Sequence, residues 1–423
     1  MKAEISETRL DNGLTILTDR MSGVRSATLG FFVRSGARDE PEALSGMTHF
    51  IEHCVFKGTH GRTAKQIAIE QDRLGGNLDA FTTHEETGFA IKVTDDRTVE
   101  AFDLLADMLT APLFAEADLR NEQRVIIEEM KMVEDSPEEY LGDLFAAACF
   151  PGHPLGRNIA GTPDTVHSFD RELTLDYHSR AFQPSGIVIA AAGNVDHNEI
   201  VELAELRFRD YDAADPAAVN DGHARISAPI LIEQDPSLEQ AHMIVSAPLV
   251  SAADPRRYAA ELLVNLIGGG TSSRLWQRVR EERGLAYSVG ASFAAYRDCG
   301  LMSVFAGTAP EQIEEVLDIV LDEMRWIARE GVTADELDLA KQQTRASILL
   351  GLEDSAGRAA VLAHSEMVHG RIIPVEETLA AVGSVSVEDI HAVVSESFRS
   401  EQIGFAAIGD LTHLNVTRDR LSV

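Results

Sequence analysis

An α+β fold made of two copies of one domain is what this chain predicts, on three observations. Strands open the sequence and give way to runs of helix, instead of alternating with helices one for one. The whole plan then recurs in the second half. Between the halves lies "RDYDAADPAAVNDGHARISAP", whose Asp, Ala and Pro content reads as a linker.

Each element can be justified in order. "TRLDNGLTILTDR" sets an Asn-Gly turn at 12 and 13 between two runs of strand character, which predicts a hairpin, and "SATLGFFVRSGAR" supplies a further strand. Apolar residues at helical spacing predict a helix from Leu44 to Phe56. "GGNLDAFTTHEETGFAIKV" reads as a second hairpin, and "RTVEAFDLLADMLTAP" and "EADLRNEQRVIIEEMKMVE" as amphipathic helices. The strand "GIVIAAAGNV" and the helix "DHNEIVELAELRF" close the first half.

In the second half, "AHMIVSAPLV" stands where "ATLGFFVRSG" stood, and "AELLVNLIGGGT" where "HFIEHCVFKGT" stood. "GLMSVFAGTAPEQIEEVLDIVLDEM" mirrors "GFAIKVTDDRTVEAFDLLADML", and "TADELDLAKQQTRASIL" mirrors "AEADLRNEQRVIIEEM". The predicted organisation is an N-terminal domain over 1–211, a linker over 212–228 and a C-terminal domain over 229–423.

Composition narrows the function. With 37 basic and 69 acidic residues the 423-residue chain carries a formal charge of −32, which repels nucleic acid and anionic lipid. No stretch approaches the roughly 20 apolar residues of a membrane span, and "MKAEISETRLDNGLTILTDR" has no apolar core of a signal peptide, so a cytoplasmic location is expected. Three cysteines, far apart and odd in number, fit reduced thiols. Gly268 to Gly270 lack a Lys-Ser/Thr at phosphate-loop spacing, so they read as a helix-to-loop turn and no nucleotide is expected.

The sharpest signal is "HFIEH". His49 and His53, at i and i+4, share a helical face with Glu52 beside them. Two imidazoles so placed suit zinc, which in a catalytic site takes three protein ligands and leaves one position open, so a carboxylate is expected as the third. In the second copy the same positions are Glu261, Val264 and Asn265. A packing role would be shared by both copies, so the asymmetry points to a separate task for the first. Cys54 is turned about 100° away from His53, and reads as core; His84 reads as a hairpin-surface residue.

These residues resemble the inverted-zincin peptidases of the pitrilysin and insulin-degrading type, the M16 family, and within it the mitochondrial processing peptidase branch. The resemblance runs through "GGNLDAFTTHEETG", "HPLGRNIAGT" and "SSRLWQRVREERGLAYSVG". It implies two homologous α/β-sandwich halves, each an antiparallel-rich sheet with helices packed on it, enclosing a clam-like chamber that admits unfolded peptides. It implies Glu129 as third ligand, 76 positions after His53, with Glu122 seven residues earlier on the same helix face. Glu128 then points elsewhere. Ser347 replaces Glu129 in the second copy, so one zinc per chain is expected.

The same resemblance implies a zinc-dependent endopeptidase with Glu52 as general base. It places Arg280 and Tyr287 at the substrate carbonyl, and Ala80, Phe81 and Thr82 on an edge strand that pairs with substrate. Glu139 and Asp143 would recognise an arginine just before the cleaved bond. Some two-chain relatives divide the zinc motif and the Arg-Tyr pair between subunits; this chain has both, so a homodimer is expected. A non-catalytic scaffold of the same fold, or a metal-dependent hydrolase acting on other substrates, are the rival readings.

Overall fold

The computed structural model describes residues 4–211 and 222–423. Residues 212–221, most of the predicted linker, lie outside the described residues.

Six strands, β1 (Glu4–Arg9), β2 (Thr15–Arg20), β3 (Ser26–Val33), β4 (Asn77–Thr82), β5 (Thr87–Thr94) and β6 (Ile187–Gly193), make one sheet in the order β1-β2-β6-β3-β5-β4. Neighbours are antiparallel except β2 and β6, which are parallel. Gly13 turns the first hairpin at φ 88, where an added Cβ would also lie 2.7 Å from Ser185. The helices of this half are α1 (Met47–Cys54), α2 (Ala64–Leu74), α3 (Thr98–Thr110), α4 (Glu116–Glu134), α5 (Pro137–Cys149), α6 (Pro163–Ser168), α7 (Arg171–Ala181) and α8 (His197–Phe208). The helix predicted from Leu44 to Phe56 is shorter than its apolar pattern, because Gly46 sits at φ 95 and α1 starts after it; short 3₁₀ turns flank it at Glu42–Leu44 and Val55–Lys57.

The second half supplies β7 (Ile230–Gln234), β8 (Ala241–Leu249), β9 (Ala286–Ala295), β10 (Gly300–Thr308) and β11 (Gly404–Gly409), in the order β7-β11-β8-β10-β9. Its helices are α9 (Arg257–Gly268), α10 (Ile313–Glu330), α11 (Ala334–Gly351), α12 (Ser355–His369), α13 (Val375–Ser384) and α14 (Val387–Ser397). Without β1, the first sheet has the same order and sense as the second, β2-β6-β3-β5-β4 against β7-β11-β8-β10-β9, with one parallel pair, β7 and β11, at the matching place. The duplicated α+β architecture read from the sequence is therefore the one observed.

The described residues form two compact units, 4–131 with 157–211 and 349–373, and 132–156 with 222–348 and 374–423. Each unit thus takes one helix from the other half of the repeat. The all-buried sequence of β6, "IVIAAAG", explains why. One face of its sheet packs Ile189 and Ala191 with Phe31 and Phe102, while Val188, Ala190 and Ala192 on the other need a second cover. α12 provides it with Ala359, Leu362 and Ala363, pinned by Arg358 to Asp19 at 2.6 Å and by Ser355 to Thr28 at 2.8 Å. In the other unit α5 lays Leu141, Phe145 and Cys149 against Ala406 and Ile408 of β11. Among the described residues no helix is long and apolar enough to cross a membrane.

α7 carries a buried histidine with a measurable signature. His178 stacks on Phe182 at 4.7 Å and its Nε2 donates to the Leu109 carbonyl at 2.9 Å, so burial pushes its pKa down from 6.5 to about 4 despite that bond. The unfolded chain takes up the proton at higher pH than the folded one. The contribution to stability is therefore complete above pH 6.5 and is lost as pH falls from 6.5 towards about 4. Denaturation at a series of pH values should give a flatter stability curve in that window for His178→Gln than for the parent; parallel curves would refute the assignment.

Candidate metal centre

The local sequence of α1, "MTHFIEHC", divides the helix into two faces. Met47, Thr48, Phe50, Ile51 and Cys54 are buried, which leaves His49, Glu52 and His53 half-exposed on the other side. The i, i+4 spacing brings the imidazoles to a centroid separation of 4.6 Å. α4 runs past them and contributes from a buried stripe of Leu119, Glu122 and Ile126, with Glu129 two turns on from Glu122.

One ligand atom from each of His49, His53 and Glu129 lies within 4.8 Å of the others. His53 is held from both sides, with Nε2 3.5 Å from Glu129 and Nδ1 3.3 Å from Glu122. A proton on Nδ1 directed at Glu122 leaves a lone pair on Nε2, the arrangement of a carboxylate-supported metal ligand. Lys57 closes the set, its Nζ 3.0 Å from the other oxygen of Glu122.

The ionisation states fit a cation. Burial, then the neighbouring His53, push His49 down to about 4, so its ring is neutral at neutral pH and one ring nitrogen keeps a lone pair free to ligate. Its Nδ1 is buried without a hydrogen-bond partner. Burial lowers the pKa of His53, but Glu122, Glu129 and Glu52 outweigh it and the net shift is upward. Burial raises Glu122, and its bonds to His53 and Lys57 outweigh that to hold it below the ordinary range. Two imidazoles and one carboxylate with an open side match a catalytic zinc donor set.

Glu52 points from this cluster towards the sheet. The Thr82 hydroxyl donates to its Oε2 at 2.6 Å. Burial moves the Glu52 carboxyl up, against the Thr82 bond and His53, while the Glu129 charge raises it further. Thr82 ends β4, the last strand of its sheet, whose outer edge has no pairing partner in that sheet. Ala80 packs against the core and Phe81 is 38% exposed. The predicted edge segment and the metal cluster are thus brought together through one hydrogen bond.

Arg280, Tyr287, Glu139 and Asp143 belong to the second unit. Arg280, in the π-helical segment Trp276–Glu281, lies 4.0 Å over the Trp276 ring and 4.8 Å over that of Tyr287, which is 82% exposed. Glu139 is exposed and Asp143 half-buried on α5. Val264 is buried in α9, and among the described residues the His49, His53 and Glu129 group is the only metal-ligand cluster. Glu128 pairs with Lys131 at 2.7 Å, away from the site. Cys54 is buried in the core, its thiol pushed upward by burial. His84 is half-buried, with Nε2 3.2 Å from the Arg157 carbonyl, so it is less of a surface residue than its hairpin position suggests. Gly268 ends α9 where a Cβ would come within 2.5 Å of the Ala291 nitrogen.

Sequence reasoning assigned no role to Lys57, although it stands in "HFIEHCVFKGT" four residues after His53, one helical turn on. Nor did it foresee that the Thr82 side chain, and not just its backbone, meets Glu52.

Comparison with known proteins gives this geometry a family. Residues 15–163 match the family described as insulinase (peptidase family M16), and 168–344 the family described as peptidase M16 inactive domain. An uncharacterized zinc protease of Streptomyces coelicolor is 39% identical over 93% of this chain and 87% of its own length. One from Mycobacterium tuberculosis is 37% identical over 95% of this chain and 92% of its own. The fold matches a crystallised protease from Helicobacter pylori, with TM-score 0.89 and 20% identity over 96% of this chain and all of the other. A structure from Pseudomonas fluorescens described as a peptidase M16 inactive domain matches with TM-score 0.89 and 18% identity over 96% of this chain and 98% of the other. This chain belongs to the M16 peptidase family.

The support that Glu122 gives His53 can be measured. Glu122→Gln should keep the fold by circular dichroism and lower metal affinity about 10- to 100-fold in chelator competition. Unchanged affinity would show that Glu122 does not orient the ligand.

Proposed function

We propose that this chain is a zinc-dependent endopeptidase of the processing-peptidase type, cleaving short or unfolded peptides that add as a strand to β4. The observation that carries the proposal is the place of Glu52: it shares two helical turns with both imidazoles and is bonded at 2.6 Å to the edge strand. A peptide paired with that edge would pass beside the base and the ligand cluster together.

His49, His53 and Glu129 hold the metal in this reading. Zinc, when bound, supplies a Lewis acid that polarises the scissile carbonyl and acidifies water to a pKa of about 7. Glu52 takes the water's proton on Oε1, since Oε2 is engaged by Thr82, and returns it to the leaving amine. Its upward shift suits a base working near neutral pH. Arg280 and Tyr287 serve as donors to the developing oxyanion, and the exposed Tyr287 ring beside Arg280 supports that role. The working form is taken to be a cytoplasmic homodimer with one zinc per chain. The "inactive domain" description covers 168–344 and so contains none of His49, Glu52, His53 or Glu129.

Metal content and cleavage of a mixed unstructured peptide pool test the roles together. The parent should hold one zinc per chain and lose cleavage to a chelator. Glu52→Gln should retain the zinc and lose cleavage by at least about 100-fold, whereas His49→Ala should lose both. A parent that binds zinc and cleaves nothing would favour the scaffold reading.

Specificity follows from α5. Glu139 and Asp143, four residues apart on one helix, make a forked acceptor for a guanidinium, worth about 1.5–3 kcal/mol of charge-assisted hydrogen bonding. Peptides with arginine just before the cleaved bond should be preferred, less so at high salt. Glu139→Gln combined with Asp143→Asn should reduce that preference about tenfold or more; an unchanged ratio of Arg-bearing to Arg-free cleavage would put the pocket elsewhere.

A further inference from the structure

Glu40 is buried to 1% exposure six residues before α1 begins its N-cap. Its carboxylate accepts from the backbone N–H of Gly46 through Oε2 and of Thr48 through Oε1, each at 2.7 Å. Those amides belong to the N-cap and second residue of α1, which have no partner within the helix. Gly46 has no side chain to cap them. The helix that carries His49, Glu52 and His53 is thus capped from outside itself, by a carboxyl group at the end where the helix dipole favours negative charge, while burial, against the bonds from Thr48 and Gly46, pushes that carboxyl up to about 7.

The segment that carries Glu40 is fastened at its other end to β4's hairpin. Ala37 N–H donates to the Thr83 carbonyl at 3.0 Å and Arg38 N–H to that of His84 at 2.7 Å. Arg38, itself 1% exposed, reaches Glu85 at 2.8 Å. Thr83 directly follows Thr82, the partner of Glu52. A second tie runs through Arg157, which donates to the Glu40 carbonyl at 2.9 Å and accepts from His84 at 3.2 Å. One short strap therefore touches the start of the ligand helix and the end of the edge strand.

We propose that Glu40 is a positioning residue, which through the strap from Gly36 to Glu40 sets the distance between the α1 ligands and base and the strand β4. The inference rests on the peptidase reading for its kinetic consequence, not for its structural one. A carboxylate accepts both amides, whereas an amide of the same shape presents N–H to one of them, so Glu40→Gln shifts the start of α1 while leaving its packing surface intact. The shift is felt at His49, the residue after Thr48.

Glu40→Gln is the test, read in the full chain with the metal site loaded by cobalt at saturation as well as by zinc. The expected result is a folded protein with parental metal content, displaced visible cobalt bands, and kcat lower by about 100-fold with KM within about threefold, as for a misplaced reacting group. Parental bands with parental kcat would overturn the proposal. So would parental bands with kcat reduced only in proportion to the folded fraction, the mark of a purely structural residue. Should the Gln variant not fold, Glu40→Asp keeps the charge, shortens its reach and is judged by the same bands and the same kcat. If the parent itself cleaves no peptide, the peptidase reading fails, and the cobalt bands alone decide the placement of Glu40.

Discussion

A helix of eight residues is too short to be stable by itself, and α1 has to hold two imidazoles and a carboxylate in a fixed relation. Everything around the centre answers that constraint. Phe50, Ile51 and Cys54 sink one face into the core with Phe169 5.3 Å from Phe50. Glu40 takes the free amides at its start. Gly46 and Gly161 let two loops touch where a Cβ would lie 2.4 Å and 2.2 Å from backbone oxygens. At the far end Lys57 and Glu122 fix His53. Pre-organisation of a metal site is here a matter of immobilising one short element from four directions.

Where periodicity had a single explanation, the sequence was legible. The runs read as α3, α4 and α8 and the two hairpins correspond to observed elements, because an amphipathic stripe or an Asn-Gly turn leaves little choice. The predicted helix from Leu44 to Phe56 ran too long, since Thr48 and Ile51 mark a buried face but nothing apolar marks the left-handed Gly46 that starts it. His49, Glu52 and His53 announced themselves through i, i+3 and i+4 spacing on one short segment. Glu129 did not: two strands and two helices separate it from His53 in the chain, and it was reached through family resemblance. The Thr82 and Lys57 contacts were beyond reach, because side-chain meetings between elements distant in sequence leave no local pattern.

The exchange of α5 and α12 escaped for a related reason. Each helix sits in its own half of the repeat, and its amphipathic face says that it covers something without saying what. The clue lay in the strands: β6 and β11 are buried at every position, which requires two covered faces in each sheet. Five strands and the helices of one half leave a face bare. Duplication solved this reciprocally, since a helix at the same place in each copy can serve the other's sheet. Buried charge then fixes the choice in the first unit, where Arg9 and Arg34 both reach Glu366 of α12 and Arg358 reaches Asp19.

Charge also says why the polar cluster survives in one copy and not the other. Glu52, Glu122 and Glu129 converge on two imidazoles, and Lys57 pairs with one of the three, Glu122. Three carboxylates thus crowd a partly dehydrated place with one lysine beside them, and burial first, then the Glu129 charge, pushes the Glu52 carboxyl upward against its bond to Thr82 and the nearby His53. A divalent cation held between His49, His53 and Glu129 would offset that crowding and turn mutual repulsion into shared ligation. In the second copy the equivalents of His49, Glu52, His53 and Glu129 are Glu261, the buried Val264, Asn265 and Ser347, so one carboxylate and no imidazole stands at those positions. In that reading the acidity of the centre and the ion it would hold are one feature, each costly without the other.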